Sequence, residues 1–177
     1  MLIKNKINVL MISSSSSLGG GTKHMFMLGE NLNSEFNVFY GIPKNYNFDN
    51  YLDDSSHIEI SERKFSFIDI IRLISFIKSK SIDIIHAHGK GAGLISRILI
   101  ILTWRPLIYT FHGIHLKCHS RLTNLVYVFY EFLFGALDSI KILVSESERE
   151  YAVKSNIYLG NKYKVIHNGV SNMLRKN

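Results

Sequence analysis

Ile7-Asn8-Val9-Leu10-Met11-Ile12-Ser13-Ser14-Ser15-Ser16-Ser17-Leu18-Gly19-Gly20-Gly21-Thr22-Lys23-His24 changes its period midway, and that change decides the fold. Residues 7–12 are a continuous apolar run of strand length. Five serines and three glycines follow, after which Met25, Leu28 and Leu32 fall on one helical face. A strand feeding a helix through a glycine loop is the opening unit of a βαβ alternation.

The same alternation continues along the chain. Residues 36–42 read as a second strand, the Asn-, Asp- and Tyr-rich stretch 43–56 as a surface loop, and a short strand is expected near Ile58. From Phe67 a helix is expected to turn Phe67, Ile70, Ile71, Ile74 and Ile77 inward, with Asp69, Arg72 and Ser79 facing away. Strands are expected at 82–85, 107–111, 140–144 and 163–166. The helices between them cover 91–103, a stretch whose core face would be Leu122, Leu125, Val126, Phe129, Leu133 and Ala136, and a segment opened by the capping-box pair Ser145 and Glu148. The pattern predicts an α/β chain: one Rossmann-like domain, a mostly parallel sheet, and helices on both faces.

Composition bounds what such a domain can do. With 177 residues, 46% hydrophobic, the chain builds one substantial core and not two. A net charge of +7 suits an anionic partner, but the basic residues are scattered, and no basic helix or zinc-knuckle spacing supports nucleic acid. The single Cys118 excludes an internal disulfide and fits a reducing compartment. Residues 1–5 lead straight toward a strand without a signal-peptide apolar region, so a cytoplasmic location is expected. The greasy stretches 94–104 and 122–137 are each shorter than the ~20 apolar residues of a spanning helix.

Polar groups gather where the strands end, which is where ligands bind in open parallel sheets. The 18–22 loop offers bare amides and a positive helix end to a phosphate; the plainer reading is a tight turn capped by Thr22 or Ser17. His24 stands where a dinucleotide fingerprint needs Gly or Ala, and Gly21-Thr22-Lys23 inverts the P-loop order. His112, after a strand and before Gly113, suits a hydrogen bond to a sugar hydroxyl or a proton transfer, unless a neighbouring carbonyl simply satisfies it. His86 and His88, two apart, are expected on opposite sides of their strand, so that only one enters a given site. His112, His115, Cys118 and His119 lack the matching second pair of a zinc site.

Four segments in order resemble the N-terminal domain of a GT-B glycosyltransferase of the family 4 type: Gly19-Gly20-Gly21-Thr22-Lys23-His24, Asp83-Ile84-Ile85-His86-Ala87-His88, Thr110-Phe111-His112-Gly113 and Asn168-Gly169-Val170. The resemblance implies transfer of a sugar from a nucleotide-diphosphate donor, with retention, to a polysaccharide, glycolipid or lipid-linked acceptor, without metal or other cofactor. It implies that Gly19, Gly20, Gly21 and Thr22 meet the donor diphosphate and that His112 is catalytic. His88, Gly89, Lys90, Gly113 and Asn168 would contact the sugar or acceptor. Residues 1–170 would form the acceptor-side domain and 171–177 the start of a linker, the nucleotide-sugar domain with its Glu-x7-Glu pair being absent.

Apolar Tyr127, Val128 and Phe134, with Lys117, His119 and Arg121 upstream, suit an anionic membrane surface, or else contact with the missing domain or deep burial. A noncatalytic module, or one subunit of a split transferase holding a phosphorylated ligand, is the alternative from a different class. An unrelated doubly wound nucleotide enzyme fits less well, given the failed fingerprints.

Overall fold

A computed structural model of the chain describes residues 6–17, 19–44, 54–114, 116, 120–157, 160 and 162–169. The elements alternate as expected: β1 (Ile7–Ser13), α1 (Gly20–Asn31), β2 (Phe36–Pro43), β3 (His57–Ile60), α2 (Phe67–Ser79), β4 (Ile84–His88), α3 (Lys90–Thr103), β5 (Leu107–Thr110), α4 (Arg121–Phe134), β6 (Ile140–Leu143), α5 (Glu146–Lys154) and β7 (Tyr163–Val165). The seven strands form one sheet in the order β3-β2-β1-β4-β5-β6-β7, and every pairing is parallel. The order reverses direction between β1 and β4, so their C-terminal ends diverge into a crevice. Ser13 pairs with His88 and His88 with Thr110, which puts the first three chemistry-bearing segments on one rim.

Strand alternation covers both faces of the sheet. Leu10 and Ile12 enter a large core with Leu73, Ile77 and Leu99, while Val9 and Met11 enter a smaller one with Met25 and Phe26 of α1. Serine hydroxyls cap three helix starts: Ser145, expected from the sequence, accepts from the Glu148 amide, and Ser66 and Ser120 likewise accept from Asp69 and Thr123. Among the described residues no helix is long and apolar enough to cross a membrane.

Two helices are rotated from the expected faces. In α2, Ile70, Leu73 and Ile77 are buried as an amphipathic helix requires, but Phe67, Ile68 and Ile71 are 75%, 70% and 68% exposed. Asp69 turns inward instead, where its carboxylate accepts the Ser61 amide at 2.7 Å. In α4 the expected core face points outward: Leu122, Leu125, Val126 and Phe129 are exposed, with Phe132 and Leu133 beside them. Tyr127 and Val128 pack against the large core, and Glu131 is buried.

The cause of the α4 rotation is a buried charge. Arg97 of α3, itself buried, grips two carboxylates in two-pronged fashion: Asp138 through Nε at 2.9 Å and Nη2 at 2.6 Å, and Glu131 through Nη1 at 3.1 Å and Nη2 at 2.8 Å. The guanidinium also lies about 5 Å from the rings of Tyr109 and Tyr130. Burial alone would lower its pKa, but the hydrogen bonds it donates to Asp138 and Glu131 more than offset this and hold it raised. Turning Glu131 toward solvent would leave the buried Nη1 donor unpaired and the cation with Asp138 alone, so the carboxylate face of α4 goes in and the apolar face goes out.

Replacing Arg97 by Leu leaves the buried Glu131 carboxylate without its partner and Asp138 with Lys141 alone, 3.5 Å away. Urea unfolding followed by circular dichroism is expected to show a loss of about 3–5 kcal/mol, largely recovered in a double variant with Glu131→Leu, which keeps Asp138 for Lys141. A single-variant loss below ~1 kcal/mol would mean the network does not hold α4 in place.

Candidate active site

The first βα turn brings backbone to the crevice. Gly19 caps α1 in an extended conformation without a side-chain hydrogen bond, and no acidic residue lies in the first turn. The first amides of a helix have no acceptor within it, so the Gly20 and Gly21 end presents positive potential to whatever enters. Both glycines are accessible, whereas Thr22 is buried. Gly21 makes a close approach: a Cβ there would lie 3.0 Å from both Cβ and Cγ of His112, which would have to give by a few tenths of an ångström. The glycine loop and residue 112 therefore meet on the same rim.

His112 follows β5 with φ of 54°, a left-handed conformation uncommon outside glycine, and Gly113 follows with φ of 108°. Glu148 fixes this bend from the first turn of α5. Its Oε1 accepts the Gly113 amide at 2.6 Å and its Oε2 the Val144 amide at 2.7 Å. The expected capping box is thus half present: the Ser145 hydroxyl serves the Glu148 amide, but the carboxylate reaches to Val144 and across to Gly113.

Four imidazoles converge here. His88 Nδ1 and His112 Nε2 share a hydrogen bond of 2.9 Å with their rings stacked, and His24 lies 5.1 Å from His112 by ring centroid. His86 and His88 do not face opposite sides as expected. Their rings are 4.1 Å apart because side chains alternate with period two, which puts residues i and i+2 on the same face. His86 is committed elsewhere, its Nε2 bonded to the Thr110 hydroxyl at 2.9 Å.

Burial, then the nearby imidazoles, holds these rings neutral. The pKa of His86 falls to about 3, through burial followed by repulsion from His112 and His24. That of His112 falls to about 4, through burial and then His24. His88 is lowered further by burial and by His86, and His24 is lowered by burial. Three buried nitrogens have no hydrogen-bond partner: His24 Nδ1, His88 Nε2 and His112 Nδ1. An unsatisfied buried polar atom costs roughly 1–3 kcal/mol, so these three nitrogens have capacity for further hydrogen bonds. Among the described residues His24, His88 and His112 could also hold a metal ion, each offering a nitrogen within 4.8 Å of the others. Of the four residues considered for zinc, only His112 is described; His115, Cys118 and His119 lie outside the described residues.

His112 and Gly113 stand between two cavities. One, about 620 Å³, is walled by Ser13, His88, Gly89, Lys90 and the 63–65 segment. The other, about 440 Å³, is walled by Gly20, Gly21, Ser145, Glu148 and Asn168. His88, Gly89 and Lys90 thus share one side with the ridge, and Asn168 joins the glycine loop on the other. Val170, Leu18 and 171–177 lie outside the described residues. Sequence reading assigned no role to the 63–65 segment and gave the Glu148 carboxylate only a local capping role; Arg63 and Glu148 find partners 48 and 35 positions away in the chain, beyond any local pattern.

Comparison with known proteins gives the family and the fold. The model of Glycosyltransferase Family 4 matches residues 18–172. An Escherichia coli UDP-Gal:alpha-D-GlcNAc-diphosphoundecaprenol alpha-1,3-galactosyltransferase is 29% identical over 129 residues, covering 68% of this chain and 33% of that protein. Anabaena HepE, solved with UDP and glucose, superposes with a TM-score of 0.71 at 18% identity over 93% of this chain and 45% of its own. Sucrose-phosphate synthase of Thermosynechococcus elongatus gives a TM-score of 0.67 at 14% identity, over 93% and 49%. The chain spans a third of the curated relative and just under half of these solved chains.

Because His86 and His112 have folded pKa values below the ordinary 6.5, the unfolded chain binds more protons between about 6.5 and 3, and stability falls as pH falls through that window. Thermal melts are expected to drop by on the order of 5 °C from pH 7 to pH 5, with a shallower slope in His112→Gln. An unchanged slope in that variant would show that His112 is not held neutral.

Proposed function

The chain belongs to glycosyltransferase family 4, and we propose that it is the acceptor-side half of a retaining GT-B transferase. In this reading it moves a sugar from a nucleotide-diphosphate donor to a polysaccharide, glycolipid or lipid-linked acceptor. The observation that carries the reading is the His112 ridge between two cavities, one of them bounded by the α1 amides. The bond from the anomeric carbon to diphosphate oxygen breaks with its electron pair going to the diphosphate, the acceptor oxygen bonds to that carbon, and the acceptor proton leaves with the diphosphate. The Gly20 and Gly21 end of α1 favours the charge that grows on the leaving group. His112, neutral at working pH, hydrogen-bonds the transferred sugar, with Asn168 on the donor side and His88, Gly89, Lys90 and Gly113 on the acceptor side. No cofactor enters this scheme.

The UDP-glucose ligands of the HepE structures and the lipid-diphosphate acceptor in the Escherichia coli relative's name support these substrate classes. The share of each relative that the chain spans supports a second, nucleotide-gripping domain or subunit. The chain alone is therefore expected to show no turnover with UDP-galactose, and measurable sugar transfer would overturn its half-enzyme status. Amide NMR titration with UDP-galactose is expected to shift Gly20, Gly21 and Gly113, and Gly21→Val to abolish the response; no shift in the parent chain would remove the donor-side reading.

Work at the inner face of the cell membrane belongs to the same proposal, supported by the outward apolar face of α4 beside Arg121. Co-sedimentation with vesicles is expected to rise with anionic lipid and to fall at least severalfold in Leu125→Lys/Phe129→Lys. Binding indifferent to anionic lipid would remove this part.

A further inference from the structure

Three imidazoles reach the head of the crevice from three different elements. His24 comes from α1, His88 ends β4, and His112 stands on the left-handed bend after β5. A fourth, His86, is taken up by the Thr110 hydroxyl and lies against His88. One nitrogen from each of the first three lies within 4.8 Å of the other two. The backbone holds them together: Gly21 lets α1 approach His112, and Glu148 pins the Gly113 amide that follows it. His88 is 4% exposed, and its Nε2, like Nδ1 of His24 and of His112, is buried without a hydrogen-bond partner.

A histidine that serves only packing satisfies its polar nitrogen on a neighbouring carbonyl or hydroxyl, as His86 does. The other three share a single bond, from His88 Nδ1 to His112 Nε2 at 2.9 Å. Charged imidazoles would repel at this separation, and burial with mutual proximity keeps all three neutral. Neutral imidazole is the form that binds a metal ion. Around a zinc-class ion, with bonds of about 2.0–2.1 Å, tetrahedral nitrogens stand roughly 3.3 Å apart. The rings reach that spacing by turning about their side-chain bonds. No carboxylate is among the three, so a hard cation that seeks oxygen gains little here, whereas imidazole suits zinc, cobalt, nickel and copper.

We propose that His24, His88 and His112 form a binding site for one divalent metal ion of the zinc class. His88 and His112 line the larger cavity and His112 the smaller one as well, so the fourth position of the ion opens to solvent and takes a water. Three ligands from three separate elements tie α1, β4 and the bend after β5 to one another when the ion is present. The site stands apart from the transfer reaction and supplies no step to it. On the transferase reading, an ion here and a sugar at His112 exclude one another, because both take the same imidazole.

Cobalt(II) reports such a site directly, since a four-coordinate cobalt ion absorbs visible light far more strongly than the hydrated ion. Titrating the untagged 177-residue chain with cobalt chloride is expected to raise a strong visible band that saturates at one ion per chain. Zinc is expected to bleach that band by displacement, and magnesium to leave it unchanged. His24 is only part-buried, so its replacement spares the core. His24→Gln is expected to weaken cobalt binding at least about tenfold, while His24→Cys, which restores a ligand, keeps a strong band at a shifted wavelength. Zinc is expected to raise the melting temperature of the parent and of His24→Cys, but not of His24→Gln, and circular dichroism reports that each variant is folded. The variant His115→Gln/Cys118→Ser/His119→Gln is expected to behave as the parent. A parent chain without the band, a band that survives in His24→Gln, or a band lost in the 115/118/119 variant would each sink the proposal.

Discussion

The close approach of Gly21 to His112 is the constraint on which the site depends. A helix start and a strand end approach this closely most easily when one of them lacks a side chain at the point of contact, and a hypothetical Cβ at 3.0 Å would push His112 aside by a few tenths of an ångström. The parallel order with its reversal between β1 and β4 brings the two segments to one rim. Glycine lets them touch, the left-handed backbone at residue 112 turns the imidazole over the crevice, and Glu148 ties that bend to β6. Each is an inexpensive local choice whose value lies in combination.

Much of this was legible in the chain. Strand and helix order followed from the switch between continuous apolar runs and helical spacing, and the site from polar residues at strand ends. Capping serines at 66, 120 and 145 sit where local chemistry dictates. What the pattern could not give was facing. In α4 the apolar positions 122, 125, 126, 129 and 133 describe a coherent stripe, and a stripe is ordinarily the buried side. Periodicity does not know that Arg97, in an otherwise greasy helix, needs Glu131 from another helix, and that pairing reverses the orientation. In α2 the inward turn of Asp69 toward the Ser61 amide has a similar effect.

The histidines illustrate the difference between residue type and microenvironment. Sequence placed His86, His88 and His112 near the crevice, but not the stacking that makes them one electrostatic unit with His24. Crowding basic groups where water is scarce disfavours charge on any of them, so a cluster that would be cationic in solution at mildly acidic pH is a set of neutral donors and acceptors here. That suits hydrogen bonding to uncharged sugar hydroxyls beside an anionic leaving group, since the imidazoles do not compete with the helix end for the diphosphate.

The ionic seat of Arg97 uncouples what α4 shows the outside from what keeps it docked. Since the helix is moored by a guanidinium and two carboxylates, its outer residues contribute little to cohesion and are free to change hydrophobicity over generations. The outer stripe is accordingly an adaptable skin over a fixed hull, tunable to new surroundings without reopening the interior.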